Sequence, residues 1–175
     1  MKTFSIFNVK GGVGKTSTAT TISHLLATEH QKKVLLVDLD PQSNSTTLFS
    51  NKKLDIISLL KRVFIQNDLS ALKAYPATVG DLLLDSSLDV KSVIQKTPYD
   101  NLDILPAFLD LAEIEEKLKA DIRTPQQLRL KAHLDKVADQ YDYCILDLSP
   151  SINIININGL AITDYVLTPL RCDLW

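Results

Sequence analysis

No apolar run in the 175-residue sequence approaches the roughly 18 residues that a bilayer-crossing helix needs. Residues 1–7 imitate a signal peptide briefly, but Asn8 and Lys10 interrupt the apolar stretch and no small-residue cleavage site follows. With no membrane segment, the expected location is the cytoplasm. Cysteine is scarce: Cys144 and Cys172 cannot build a disulfide framework and read as reduced, partly buried thiols. An excess of positive charge is also missing. The 19 Lys and Arg residues stand against 21 Asp and Glu, with a pI near 5.9. That balance gives no sign of a protein that coats nucleic acid, while leaving room for a basic patch formed on assembly. Repeats, low-complexity tracts and linkers are lacking too, so residues 1–175 read as one domain. What is present, 45% hydrophobic and 23% charged residues, is the composition of a globular chain rather than a disordered or coiled-coil one.

Five segments carry strand signals: residues 3–9, 34–38, 102–105, 143–147 and 165–170. The runs Val34-Leu35-Leu36-Val37 and Cys144-Ile145-Leu146 are short and continuously apolar, which suits strands covered on both faces. Helical spacing lies between them. Ala19, Ile22, Leu25 and Leu26 predict an amphipathic helix over residues 16–28, and Leu111, Ile114 and Leu118 predict another. Thr124, Pro125 and Gln127 read as an N-cap, a first-turn proline and a capping-box glutamine, opening a helix that turns Leu130, Leu134 and Val137 inward. Residues 52–97 are harder to assign. Ile56, Ile57, Leu59, Leu60 and Val63 have helical spacing, and residues 80–84 form a short helical turn. Strands alternating with helices predict an α/β domain with a mainly parallel sheet flanked by helices. His24, His30 and His133 read as scattered over helical surfaces, without metal-ligand spacing.

The most informative run is Asn8-Val9-Lys10-Gly11-Gly12-Val13-Gly14-Lys15-Thr16-Ser17-Thr18, placed between the first strand and the first helix. Such a turn aims backbone N–H groups inward, where a helix N-terminus adds positive potential for an anion. Glycine lets the backbone approach phosphate oxygens closely. In this arrangement Lys15 neutralises the β- and γ-phosphates and the Thr16 hydroxyl ligates Mg²⁺. Lys10, Gly11, Gly12, Val13, Gly14, Lys15, Thr16 and Ser17 are therefore the nucleotide-binding candidates. The ordinary G-x-x-x-x-G-K-[ST] pattern fails, because it needs glycine where Val9 stands. The sequence has K-G-G-x-G-K-T instead, with the additional lysine Lys10.

Two strand ends carry carboxylates. Val34 to Val37 lead into Asp38-Leu39-Asp40-Pro41-Gln42-Ser43, and side-chain alternation sets Asp38 and Asp40 on one side of an extended chain. Tyr143 to Leu146 lead into Asp147-Leu148-Ser149-Pro150-Ser151, the arrangement in which a strand-end aspartate holds Mg²⁺. Carboxylates at the C-terminal ends of parallel strands project into the crevice where ligands bind.

Taken together, Lys10-Gly11-Gly12-Val13-Gly14-Lys15-Thr16 resembles the deviant Walker A loop of the ParA/MinD P-loop ATPases. The D-x-D-P-Q run from Asp38 resembles that family's switch I, and Asp147 its Walker B aspartate. Leu102-Asp103-Ile104-Leu105-Pro106-Ala107 and Tyr165-Val166-Leu167-Thr168-Pro169-Leu170 extend the likeness over most of the chain, least so between residues 52 and 97. The resemblance implies ATP and Mg²⁺ as cofactors and an ATP-dependent homodimer in which Lys10 reaches the partner subunit's phosphates. Lys15 and Thr16 would act within their own subunit. It implies that Asp40 positions the attacking water and lies near Mg²⁺, with Asp38 supporting the loop. Lys10, Lys15 and Asp40 are thus the catalytic candidates, and Thr16, Asp40 and Asp147 the metal candidates. The family usually has proline where Ser149 stands, which bears on the stiffness of that turn.

Family members continue well past the equivalent of Leu170, so the resemblance implies a chain truncated at its C-terminus. The missing portion would include the surface for non-specific DNA, with nucleoid association, or a membrane-targeting helix. The small ParA (Soj-like) branch is favoured. It implies a slow ATPase, stimulated by a ParB-like protein, that switches dimers on and off in plasmid or chromosome segregation. The alternatives are a MinD-like positioning ATPase, a non-catalytic nucleotide-binding fragment and a small-molecule ligase or kinase on the same scaffold.

Overall fold

The computed structural model describes residues 1–50, 65, 77–121 and 125–172. Its centre is a six-stranded sheet in the order β3-β4-β2-β5-β1-β6, formed by β1 (Lys2–Ile6), β2 (Val34–Leu39), β3 (Gln95–Lys96), β4 (Leu102–Leu105), β5 (Tyr143–Leu148) and β6 (Tyr165–Leu167). Every pairing is parallel except that of β3 with β4. The mainly parallel α/β architecture is thus as the sequence predicts. The two-residue edge strand β3 is an addition that no periodicity could announce. β1 and β6 stop at Ile6 and Leu167, earlier than their apolar patterns suggest.

Helices α1 (Lys15–Thr28), α2 (Asn44–Phe49), α3 (Val79–Leu84), α4 (Val90–Val93), α5 (Leu111–Ala120), α6 (Arg129–Leu134) and α7 (Ile154–Leu160) surround the sheet. Side-chain alternation along β2 sorts the core into two. Val34 and Leu36 join Ile6, Ile104 and Ile145 against Ala19 and Ala27 of α1. Leu35, Val37 and Leu39 join Leu146 and Leu148 against Leu82 of α3, Leu111 and Leu118 of α5, Leu130 of α6 and Ile155 of α7. Burying both faces explains why these strands read as continuous apolar runs.

α1 turns Ala19, Ile22 and Leu26 of its predicted face to the core and leaves Leu25 out. Its fully buried stripe is Ala19, Ser23 and Ala27, spaced four apart, while Leu25 is 45% exposed. Small side chains at that spacing let the helix lie close against the sheet. The segment after Pro125 is a 3₁₀ turn (Gln126–Leu128) followed by α6, with Leu130, Leu134 and Val137 buried as expected. Thr124 and the helical spacing from Ile56 to Val63 lie outside the described residues. Near residue 80 the short helix is real and begins with a capping box from Thr78 and Asp81. His133 is buried rather than on a surface, and Cys144 is buried while Cys172 is exposed. At the outer edge Tyr165, Val166, Leu167 and Leu170 are all exposed, with Tyr165 stacked on Phe4.

Candidate functional site

The parallel strands deliver their C-terminal ends to one edge, where Ile6 stands opposite Asp147 and Asp147 opposite Asp38. By alternation Asp38 and Asp147 share the sheet face of Val34, Leu36 and Ile145, the face that α1 covers. Pairing two carboxylates across adjacent strands in a buried position is costly unless something at that edge uses them.

The loop from Phe7 to Gly14 joins β1 to α1. Gly12 has φ 71° and Gly14 φ 88°, left-handed values that L side chains adopt with strain. A Cβ on Gly11, Gly12 or Gly14 would meet no protein atom within 4 Å. The space over the loop is open to a ligand rather than filled by the chain. α1 begins without a side-chain cap and without acidic residues in its first turn, so its leading N–H groups face that space. Lys15 is 7% exposed, and its Nζ donates to the Lys10 carbonyl at 3.0 Å. Lys10, Gly11, Gly12 and Ser17 are exposed, while Val13, Gly14 and Thr16 are half-buried. Asn8 organises the loop entrance: its Oδ1 accepts from the Lys10 N–H at 2.9 Å and its Nδ2 donates to the Pro169 carbonyl at 3.0 Å.

The carboxylates have different surroundings. Asp38 is fully enclosed and accepts from the Asp40 N–H (3.1 Å), the Thr46 N–H (2.9 Å) and the Thr46 hydroxyl (2.8 Å). Burial, reinforced by the charge of Asp147, pushes its carboxyl up to about 7 despite those donors. Asp40 lies just past β2 and accepts from the Gln42 N–H at 2.9 Å. Asp147 accepts from the Ser45 hydroxyl at 2.7 Å through Oδ2, while its buried Oδ1 has no partner among the described residues. Burial raises the Asp147 carboxyl above the ordinary carboxylate value. The hydroxyls of Ser45 and Thr16 act against that rise, the Asp40 charge adds to it, and Lys15 opposes it. Thr16, Lys15, Asp40 and Asp147 thus meet at one edge.

That donor set suits a magnesium–nucleotide complex. Two carboxylates and a hydroxyl are hard oxygen ligands, too few to enclose an ion, as befits one that keeps waters and takes phosphate oxygens. Among the described residues no group of three His, Cys, Asp or Glu offers an all-protein cage. The orphaned Asp147 Oδ1 and the open glycine loop both fit.

Sequence reading missed Ser45 and Thr46, which reach Asp147 and Asp38 from the first turn of α2. It also missed Asn156, whose buried amide bonds the turn after β5. The Asp38-to-Thr46 run offered hydroxyls at suitable places, but nothing in their spacing shows that Ser45 crosses to a strand 102 positions away.

The family model described as AAA domain matches residues 1–175. The chain is 38% identical to the virulence plasmid ParA family protein pGP5-D of Chlamydia psittaci, over 97% of this chain and 57% of that protein. It is 36% identical to the chromosome-partitioning ATPase Soj of Treponema pallidum, over 98% of this chain and 58% of the relative. Among solved structures, cobyrinic acid a,c-diamide synthase from Mycobacterium smegmatis with bound ATP analog and magnesium superposes with a TM-score of 0.78. That match has 29% identity and covers 99% of this chain and 62% of the synthase. The chain thus spans less than two thirds of the length of these relatives. Its glycine loop, its strand-end carboxylates and these matches agree, and the chain belongs to the ParA/MinD family of P-loop ATPases.

Proposed function

We propose that the chain is a Mg²⁺-dependent ATPase that works in the cytoplasm as an ATP-driven dimerisation switch in plasmid or chromosome partition. The observation that carries this reading is the meeting of buried Lys15 and Asp147 with half-buried Thr16 beside an open glycine loop, with Asp147 Oδ1 unclaimed among the described residues. The loop N–H groups of residues 11–16 would receive the phosphates, and Lys15 would exchange its Lys10 carbonyl for a phosphate oxygen. Thr16 and Asp147, with Asp40 nearby, would hold Mg²⁺, which when bound neutralises charge on the phosphates. Asp40 would orient the attacking water. Exposed Lys10 leaves the site on the solvent side, as a residue acting on a partner subunit's phosphates must. A ParB-like stimulator and non-specific DNA are the proposed partners, a reading supported by the likeness to a plasmid ParA family protein and a chromosome-partitioning ATPase.

The likeness to the diamide synthase favours a second reading, a small-molecule synthase on the same scaffold. One experiment separates the two: the solution mass of Asp40→Ala with MgATP and with MgADP, beside Lys10→Ala. A dimer with ATP alone that Lys10→Ala abolishes supports the switch. A monomer in both nucleotides, with binding confirmed, rejects it. Synthase chemistry predicts activity that survives Lys10→Ala.

A further inference from the structure

Asp147 is followed by a turn, residues 149–153, that leads into α7. The turn contains Pro150, which has no N–H, between Ser149, which is buried, and Ser151, which is half-buried, so their carbonyls need partners from elsewhere. One side chain answers for both. Asn156, 1% exposed, donates from Nδ2 to the Ser149 carbonyl (2.8 Å), the Ser149 hydroxyl (3.0 Å) and the Ser151 carbonyl (2.5 Å). Two amide hydrogens serve three acceptors, a shared arrangement that few other side chains can supply. The remaining contacts close a ring. The Asn156 N–H donates to Asn153 Oδ1 at 2.8 Å, Asn153 Nδ2 donates to the Ser151 hydroxyl at 3.0 Å, and the two serine hydroxyls lie 2.9 Å apart. Asn153 Nδ2 also donates to Glu115 Oε2 of α5 at 3.1 Å.

We propose that Asn156 is the positioning residue of the site: it holds the turn behind Asp147, and through the turn it aims the carboxylate whose Oδ1 is unclaimed among the described residues. Asp147 has the hydroxyls of Ser45 and Thr16 beside it and stands one residue before β5 ends at Leu148, so the turn that Asn156 holds begins just behind it. Ser149 begins that turn, two residues after Asp147. With serine rather than a ring-locked residue at 149, backbone stiffness has to come from elsewhere, and the Asn156 amide supplies it. Partners that orient a metal-binding carboxylate change metal affinity by about 10-fold or more when removed.

This inference rests on the ATPase reading, and its test separates the two. Asn156→Ala deletes the amide; Asn156→Asp keeps its size but removes the donors. Asn158 is the control, equally buried on the same helix, but bonded to the Leu130 N–H and the Ile154 carbonyl, away from the turn. Binding of a fluorescent ATP analogue is titrated against Mg²⁺, and amide hydrogen exchange across residues 148–153 is followed without nucleotide. Both Asn156 variants should raise the Mg²⁺ concentration for half-maximal binding by about 10-fold. Both should speed exchange in the turn and leave Mg²⁺-free nucleotide affinity within about twofold. Asn158→Ala should lower the unfolding midpoint and leave the Mg²⁺ midpoint in place. Folded Asn156 variants with unchanged Mg²⁺ midpoints overturn the inference alone. A wild-type chain that binds no MgATP overturns the ATPase reading, and this inference with it.

Discussion

Between β1 and α1 the chain turns on glycines at φ 71° and 88°, with open space wherever a side chain would stand. Between β5 and α7, at the same edge of the sheet, it turns on Ser149, Pro150 and Ser151, tied down by Asn153 and Asn156. The first loop is shaped by what it leaves vacant and the second by what fills it. A phosphate-binding loop has to present bare N–H groups, so its polar backbone is satisfied only when the anion arrives. A turn that supports a metal ligand has to stay fixed whether or not the ion is there, and here Asn156 bonds the Ser149 and Ser151 carbonyls, although its own Oδ1 has no partner among the described residues.

The sharpest way to break this contrast is to fill the first loop. Gly14→Ala places a Cβ in open space but at a left-handed φ, a strain of about 1–2 kcal/mol that the fold can tolerate. Folding should survive while MgATP affinity falls at least about 100-fold, because the new methyl stands in the phosphate cradle. Calorimetric titration with an intact circular dichroism spectrum checks it. Unchanged affinity would mean that the loop is not the phosphate site.

A middle-sized effect comes from the carboxylates between the two loops. In the folded chain Asp38 titrates near 7, above the ordinary 3.8, so the folded state holds a proton that the unfolded state has released. Stability from this group is therefore full below about pH 4 and is lost as the pH rises through about 7. Without nucleotide or Mg²⁺, the melting temperature should drop by roughly 5 °C between pH 5.5 and 8, at about 2–4 °C per kcal/mol for a chain of this size. Asp38→Asn should flatten that slope and leave the part due to Asp147. A wild-type melting temperature that rises over the same interval would contradict the assignment.

The smallest effect sharpens the second loop. Glu115→Ala removes the outermost tie to Asn153 together with a partly exposed ion pair to Lys119. It should alter turn exchange and the Mg²⁺ midpoint by less than about twofold, consistent with the weakness of exposed polar contacts. A change as large as that of Asn156→Ala would show that the ring is anchored from α5 rather than from α7.

The vacant loop was legible in the sequence and the filled one was not. Glycine spacing, Lys15-Thr16 and strand-end aspartates are local patterns, and the strands that carry them are short, continuous apolar runs; both survive as strings of letters. The parallel sheet was legible for the same reason. Asn156 acts five and seven positions back, but only because α7 folds over the turn. Ser45 meets Asp147 across 102 positions, and the Ala107 N–H donates to the Thr46 hydroxyl across 61. Such contacts are products of the tertiary structure and leave no period to count. On α1 only Leu25 was misplaced, because the residues in closest contact with the sheet, Ala19, Ser23 and Ala27, are small ones.

The outer edge of the sheet carries a consequence of a different kind. Among the described residues β6 pairs with β1 alone, and its Tyr165, Val166 and Leu167 are exposed. In colloidal terms this is an adhesive strip on a particle with a formal net charge of only −2, too little to keep two copies apart near neutral pH. Buffer choice then governs how the chain behaves in a tube. Moving the pH toward 5.9 removes the remaining repulsion, and the strip decides the encounter.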